Sequence, residues 1–297
     1  MKHITPLDEL SVLEIQGLAE EKRRALGFVG SPIAANILAV LEKLNITLLQ
    51  LPVEPGDESP AFSGALLYSK VDGEDLAFVG VNTADYFDKQ IFAIAHELYH
   101  FFTKTGSHLS RVDEDRTLTE ALANRFAAEF LLPETELRKT IINEFKTPSL
   151  RTIPHKNLLR FIARLQCIWW LPYRAIVKRF EEIDAIRDGQ VQELYRVDER
   201  DPLGEYARMG MAIDDVTFTM LNKVTRATGT SQSSIELIIR NYEDNLIDED
   251  KFADILGLFG KSPGDFGYDF GVDREDIEEL SAFFSGEVGN EDQPDCE

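Results

Sequence analysis

The sequence predicts an α+β fold, with a small mixed sheet and several helices followed by a mostly helical C-terminal region. Three observations lead to this class. Short apolar runs with the length and composition of strands lie between residues 46 and 82. Apolar residues recur with a helical period on both sides of this stretch. From residue 146 onward the pattern is almost entirely helical. With 297 residues, 43% of them hydrophobic, the chain can fill one core and a second, smaller unit.

The N-terminal part is predicted to contain two helices, then three strands, then two further helices. Residues 7–26 carry a helical apolar period, and a second helix over 31–45 begins at a serine cap followed by proline. The runs ITLLQLPV, SGALLYSK and DLAFVGVN read as strands, the last two joined by a hairpin turn at Asp72-Gly73. A helix over 85–105, closed by Gly106, precedes the amphipathic segment LTEALANRFAAEFLLP, which stops at Pro133.

The C-terminal part is predicted to be helical. The helix PETELRKTIINEF begins at Pro133, and a locally basic stretch, residues 146–180, reads as two helices broken near Leu171-Pro172. A polar linker follows at 198–204. Residues 216–258 are again helical in pattern, with a turn and cap at 229–231, and the end from Asp273 is an acidic tail. These changes in pattern divide the chain into regions 1–145, 146–200 and 201–297.

Composition and charge exclude several classes of protein. The formal charge of −22 argues against binding to nucleic acid or to an anionic membrane. Cys167 and Cys296 alone form neither a disulfide framework nor a cysteine metal site. The N-terminus is acidic where a signal peptide is apolar, and no apolar run has the length of a membrane span. We therefore expect a cytoplasmic protein.

Two of the five histidines lie in the apolar stretch FAIAHELYHFF, residues 92–102. In a helix, His96 and His100 project from one face about one turn apart, which allows both to bind one metal ion. Glu97 then lies within reach of a metal-bound water without being a ligand. This is the His-Glu-x-x-His arrangement of zinc peptidases. The alternative is a chance match, in which the two histidines are a buried, hydrogen-bonded pair.

A catalytic zinc site usually takes a third protein ligand. Metzincins place glycine three residues and histidine six residues after the motif, but Thr103 and Gly106 occupy those positions here. The candidate is instead Glu120 on the following helix, with Asn124 one turn further on the same face, able to hydrogen-bond a ligating histidine. The alternative for Glu120 is a capping box with Thr117. Glu129 lies half a helical revolution from Glu120 and cannot share its role.

The segments HELYH and EALANRFAAEFLLP resemble the two motifs of the ImmA/IrrE family of metallopeptidases, the second of which reads roughly E-x-x-A-N-x-F-A-A-E-x-L-x-P. The resemblance spans roughly residues 31–186 and includes FSG at 62–64. It implies a zincin-like metallopeptidase domain in region 1–145. Residues 169–180 resemble the family's helix-turn-helix-like segment more weakly, and residues from 191 onward carry no resemblance. The implied roles are zinc ligation by His96, His100 and Glu120, and general-base catalysis by Glu97.

The resemblance also implies a function. We expect a zinc-dependent endopeptidase that cleaves a repressor-type protein, in particular a helix-turn-helix repressor, in a stress, mobile-element or toxin-antitoxin-like circuit. An extended substrate can add to the strand SGALLYS. The candidates for an additional transition-state donor are Tyr86, His108, Arg111 and Tyr173.

Two other functions stay open at this point. The first is a regulator without proteolytic activity, whose basic stretch 146–180 binds DNA or a protein partner. The second is an interaction module in which the metal is only structural, although such a site has no need of a base at Glu97.

Overall fold

The computed structural model of the protein describes residues 7–54, 63–71, 74–105 and 114–270. These residues form eleven α-helices and four strands, which confirms the predicted α+β class. In chain order they are α1 (Glu9–Leu26), α2 (Ile37–Lys43), β1 (Ile46–Leu51), β2 (Gly64–Val71), β3 (Glu74–Asn82), α3 (Phe87–Thr103), α4 (Glu114–Leu131), α5 (Glu134–Phe145), α6 (His155–Trp169), α7 (Tyr173–Glu182), α8 (Asp188–Tyr195), α9 (Glu205–Leu221), β4 (Gly229–Thr230), α10 (Gln232–Glu243) and α11 (Glu249–Gly257).

The sheet is small and mixed, with the strand order β2-β3-β1-β4. Strand β3 pairs with β2 in antiparallel register and with β1 in parallel register. Strand β4 is a two-residue addition, held to β1 also by the Thr230 hydroxyl, which donates to the Leu48 carbonyl at 2.7 Å. The sequence predicted only a turn and cap at 229–231. The strand was missed because two residues that pair across 180 positions leave no local pattern.

Helix α3 packs between the sheet and α4, and its apolar residues explain why it is held rigidly. Ile91, Ile94 and Leu98 are buried, and Tyr99 packs against Phe126 of α4 with ring centroids 5.7 Å apart. Each such side chain contributes about 1.5–3 kcal/mol when it is fully buried. The polar residues of α3 are therefore carried on an element that the core fixes in place.

A buried polar cluster also holds the first turn of α3. The Asp88 carboxylate is fully buried and accepts bonds from the Arg200 guanidinium at 2.8 and 2.9 Å. Gln166 of α6 donates to the same carboxylate at 2.8 Å and accepts from the Tyr206 hydroxyl of α9 at 2.8 Å. A buried charge is tolerated only when it is paired and hydrogen-bonded, as here. The cluster ties the start of α3 to two C-terminal helices.

Packing divides the chain into two compact units, residues 1–234 and 235–297. In the second unit, aromatic rings from α10, α11 and the segment after α11 pack together, with Tyr242 and Phe252 stacked at 4.5 Å between centroids. The functional boundaries predicted after residues 145 and 200 stay a prediction. No helix in the described part of the chain is both long enough and apolar enough to cross a membrane.

Some predicted element boundaries are wrong. Helix α3 ends at Thr103, and Lys104 in the left-handed conformation closes it, so the predicted closure by Gly106 does not occur. The break predicted at 229–231 in the helical run 216–258 is present, but it begins earlier, after α9 ends at Leu221. The hairpin turn at Asp72-Gly73, Phe62 of the FSG stretch, the acidic tail from Asp273 and Cys296 lie outside the described residues.

Candidate metal centre

Helices α3 and α4 bring three potential metal ligands together. His96 and His100 lie one turn apart on α3, and Glu120 faces them from α4. One ligand atom from each of the three lies within 4.8 Å of the others. The two Nε2 atoms are 3.3 Å apart, and the Glu120 carboxylate oxygens lie 3.2 Å from Nε2 of His96 and 3.9 Å from Nε2 of His100.

These separations fit a tetrahedral metal ion. Nitrogen and oxygen ligands lie about 2.0–2.2 Å from zinc, so two ligands of one tetrahedral ion are roughly 3.3 Å apart. The separation of the two Nε2 atoms and that between Nε2 of His96 and Oε2 of Glu120 match this value within 0.1 Å, while the 3.9 Å from Nε2 of His100 is measured to the other carboxylate oxygen, Oε1. Two imidazoles and a carboxylate are also a donor set that zinc commonly takes in hydrolases. The three residues present here could therefore hold a zinc ion.

The outer nitrogen of each histidine has a hydrogen-bond partner. Nδ1 of His96 lies 3.1 Å from Oδ1 of Asn124, and Nδ1 of His100 lies 3.3 Å from the Thr105 hydroxyl. An amide oxygen only accepts, so Nδ1 of His96 carries the proton and its Nε2 presents a lone pair towards Glu120 and His100. The sequence pointed to Asn124 by its spacing from Glu120. It gave no sign of Thr105.

Glu97 is buried beside the ligand cluster and next to the edge strand β2. Its carboxylate accepts a bond from the Leu66 backbone N–H, and a Cβ added at Gly64 would lie 3.4 Å from its Oε1. Burial raises the pKa of Glu97, as does the charge of Glu120, while His96 and the Leu66 N–H oppose the rise. A carboxylate whose pKa is raised towards neutrality is better suited to accept a proton.

The two histidines differ in their preference for protonation. Burial, the largest single influence, lowers the pKa of His96, but bonds to Glu120 and Asn124 and the charges of Glu97 and Glu120 outweigh it, so the pKa is raised. Burial and the neighbouring His96 lower the pKa of His100, against the effect of Glu120. The carboxylates of Glu97 and Glu120 therefore make the surroundings of His96 favourable for positive charge, and a bound metal cation would also be stabilised there.

The capping-box alternative for Glu120 is wrong. Helix α4 begins at Glu114, so Thr117 lies inside the helix and cannot cap its first turn. The side chain of Glu120 reaches across to α3, with 46% of its surface exposed.

Neither of the two described donor candidates fits the site. Tyr86 precedes α3, ten residues and so about 15 Å from His96 along the helix. The Tyr173 hydroxyl is buried and donates to the Leu194 carbonyl at 3.0 Å. His108 and Arg111 lie outside the described residues.

Residues 41–148, which include strands β1, β2 and β3 and helices α3, α4 and α5, match the model of the peptidase M78 family, described as the IrrE N-terminal-like domain. This part of the chain, a little over a third of its length, is similar to the IrrE N-terminal-like domain. This confirms the resemblance to the ImmA/IrrE family and agrees with the predicted zincin-like fold. The family is one of metallopeptidases. No curated protein and no solved structure matches the chain.

Most of the basic side chains in the stretch 146–180 form ion pairs with acidic side chains of the same chain. Helices α6 and α7 are joined by a three-residue turn, as the sequence predicted. Six basic side chains of the stretch form ion pairs with acidic ones: Arg151 with Asp184, Lys156 with Glu205, Arg164 with Glu144, Arg174 with Glu199, Lys178 with Glu181, and Arg179 with Glu129 and Glu182. Contacts with DNA phosphates would have to replace these pairs, which favours a packing role for the segment.

Proposed function

We propose that the chain is a zinc-dependent endopeptidase that cleaves a repressor-type regulatory protein. The observation that carries the proposal is the cluster of ligand atoms from His96, His100 and Glu120, all within 4.8 Å of one another, with Glu97 buried beside it. A purely structural metal site has no use for a buried carboxylate of raised pKa next to its ligands. The metallopeptidase family of the domain supports the same assignment.

Each residue of the site has a role in peptide hydrolysis. His96, His100 and Glu120 would hold the zinc ion, which supplies a Lewis acid and lowers the pKa of water towards neutrality. Glu97 takes a proton from the attacking water while the water oxygen bonds to the peptide carbonyl carbon. As the carbon–nitrogen bond breaks, Glu97 passes this proton to the leaving amine. Asn124 keeps the ring of His96 oriented throughout.

The position of β2 suggests how an extended substrate binds. Strand β2 is the edge strand of the sheet on the side of Glu97, and its Leu66 N–H donates to that carboxylate. A substrate segment added as a further strand along Ser63–Ser69 would run beside the general base. The exposed Leu67 gives this edge an apolar contact for one substrate side chain. We infer that a partly unfolded segment of the substrate binds here.

The net charge of the chain favours a basic substrate. At −22 the protein attracts positively charged partners and is repelled by nucleic acid. Helix-turn-helix repressors carry basic surfaces for DNA, so they meet this requirement. Such a protein, acting in a stress, mobile-element or toxin-antitoxin-like circuit, is the proposed substrate.

The test compares wild type with Glu97→Gln during co-expression with the regulator encoded beside the gene. Glutamine keeps the shape of glutamate but cannot accept the proton, so cleavage should fall by roughly 10²- to 10⁴-fold. The measurement is the appearance of one discrete cleavage product, with zinc content determined on the same purified proteins. We expect one zinc per chain in both.

The matched control is Glu20→Gln on α1, an exposed glutamate that pairs with Arg24. This variant should cleave like wild type. If the neighbouring regulator stays whole with wild type, and a proteome-wide search for new termini finds none that depends on Glu97, the endopeptidase proposal is wrong. Zinc binding without any such cleavage would favour the structural-metal alternative.

A further inference from the structure

We propose that Thr105 is a positioning residue that fixes the ring of His100 in the tautomer able to bind a metal. The Thr105 hydroxyl lies 3.3 Å from Nδ1 of His100, on the side of the ring opposite to the ligand cluster. The inference rests on the proposed function in one respect, since it takes His100 to be a zinc ligand. It adds a residue that neither the motifs nor their spacing identify.

The direction of the hydrogen bonds follows from a backbone carbonyl. The Thr103 hydroxyl donates to the Tyr99 carbonyl at 2.8 Å, and a carbonyl oxygen can only accept. The two threonine hydroxyls are 2.6 Å apart, and each has a single proton. Since Thr103 has used its proton, Thr105 must donate to Thr103. In its other hydrogen bond, the one to Nδ1 of His100, the Thr105 hydroxyl must therefore be the acceptor.

This order determines where the proton of His100 sits. The Thr105 oxygen accepts, so Nδ1 of His100 must be the donor and must carry the hydrogen. In the neutral ring Nε2 is then bare, and Nε2 is the atom that lies 3.3 Å from Nε2 of His96 and faces Glu120. A metal ligand needs this lone pair, and a hydrogen bond at the other nitrogen is how proteins usually secure it.

The end of α3 brings Thr105 back to the ring. Lys104 adopts the left-handed conformation with φ 55°, and the backbone N–H groups of Lys104 and Thr105 both point at the His100 carbonyl. The chain therefore turns over the last helical turn instead of leaving it. The Lys104 ammonium lies 4.6 Å from the centre of the Phe101 ring, which stabilises this conformation of a non-glycine residue. Thus the residues that close the helix, Lys104 and Thr105, also determine the orientation of the His100 ring.

The experiment compares wild type with Thr105→Val, which keeps the shape and removes the acceptor, and with Thr105→Ser, which restores it. Zinc affinity is measured by competition with a chelator, and the His100 tautomer by ¹⁵N NMR of ring nitrogens in the metal-free protein. We expect Thr105→Val to weaken zinc binding by roughly 10- to 100-fold and to give a mixture of tautomers. Thr105→Ser should return both to wild-type behaviour, and Asn124→Ala should weaken zinc to a similar extent through His96.

Thr103→Val gives a second, independent test. It removes the acceptor of the Thr105 proton, so Thr105 can then donate to His100, and a tautomer mixture is expected although Thr105 is intact. Wild-type zinc affinity and a single tautomer in both valine variants would overturn the proposal. If wild type binds no zinc through His96, the proposed function fails, while the tautomer of the metal-free protein still tests Thr105.

Discussion

Two glutamates on α4 are placed in opposite surroundings, although only nine residues separate them. Glu120 faces α3, is 46% exposed and lies beside two imidazoles that are neutral when they bind a metal. Glu129 points the other way, is 6% exposed, and lies 2.5 Å from the Arg179 guanidinium of α7 and 3.5 Å from that of Arg125. Its second oxygen accepts the Glu134 backbone N–H at 2.7 Å. Nine residues are two and a half helical turns, which accounts for the opposite faces.

The difference separates a carboxylate that stabilises the fold from one that can bind a cation. The charge of Glu129 is already matched by fixed cations, so it contributes to holding α4, α5 and α7 together. Glu120 instead lies beside two histidines, and the three residues together could hold a metal ion. Both glutamates belong to the family-like segment EALANRFAAEFLLP. A shared sequence motif can therefore contain one residue retained for folding and another proposed for chemistry.

The largest expected effect concerns Glu129. Replacing it with glutamine should lower the free energy of unfolding by about 3 kcal/mol, the lower end for a broken buried ion pair, because the fully buried Arg179 loses its nearest counter-charge but keeps Glu182 at 2.9 Å. Urea denaturation measures this. Zinc binding by the folded fraction should not change. The exposed Glu20→Gln is the control, expected within about 0.5 kcal/mol of wild type. An equally small effect at Glu129 would show that its charge is not structural.

The converse result is expected at Glu120. Glu120→Gln removes the negative charge of a proposed ligand. Losing a hydrogen bond to a ligating histidine typically weakens metal binding by roughly 10- to 100-fold, so losing the ligand charge itself should weaken zinc binding by more than roughly 100-fold. The metal-free protein should unfold within about 0.5 kcal/mol of wild type because the side chain is half exposed. Chelator competition and urea denaturation of the metal-free form give the two values. Full zinc affinity would remove Glu120 from the proposed ligand set.

The parts of this comparison that could be predicted from sequence are those set by helical spacing. The four-residue step from His96 to His100 and from Glu120 to Asn124 fixes which side chains share a face, and the apolar residues around them fix the element type. The half-revolution argument also excluded Glu129 as a ligand. These inferences need only the period of the α-helix.

The features that could not be predicted depend on distant contacts or on backbone states. Arg179 meets Glu129 across 50 residues, and no local pattern specifies that pair. Thr105 reaches His100 only because Lys104 adopts a left-handed conformation, whereas composition favours Gly106 for that role. The start of α4 at Glu114 could not be predicted either, because the capping-box spacing of Thr117 and Glu120 indicates a later start.

The smallest expected effect tests how closely β2 positions the proposed base. A Cβ at Gly64 would lie 3.3 Å from Cβ of Ala93, which is tighter than most contacts, and 3.4 Å from Oε1 of Glu97, at the limit of ordinary contact. Because Cβ of Ala93 is fixed to the packed face of α3, β2 must shift from α3 by a few tenths of an ångström, which changes how β2 holds Glu97. A displacement of a catalytic group by about 1 Å lowers the reaction rate about 100-fold. A shift of a few tenths of an ångström in Gly64→Ala should therefore lower kcat roughly 3- to 10-fold.

The matched control is Gly17→Ala on α1, where a Cβ meets nothing within 4 Å. This variant should keep wild-type kcat and gain about 0.5–1 kcal/mol of stability, because alanine favours the helix over glycine. Zinc content should equal that of wild type in both variants, since neither glycine contacts a proposed ligand. A Gly64→Ala enzyme with unchanged kcat on the cleaved regulator would mean that the contact with β2 does not set the position of Glu97. Catalysis would then depend on the helix alone, and the edge strand would serve only to bind substrate.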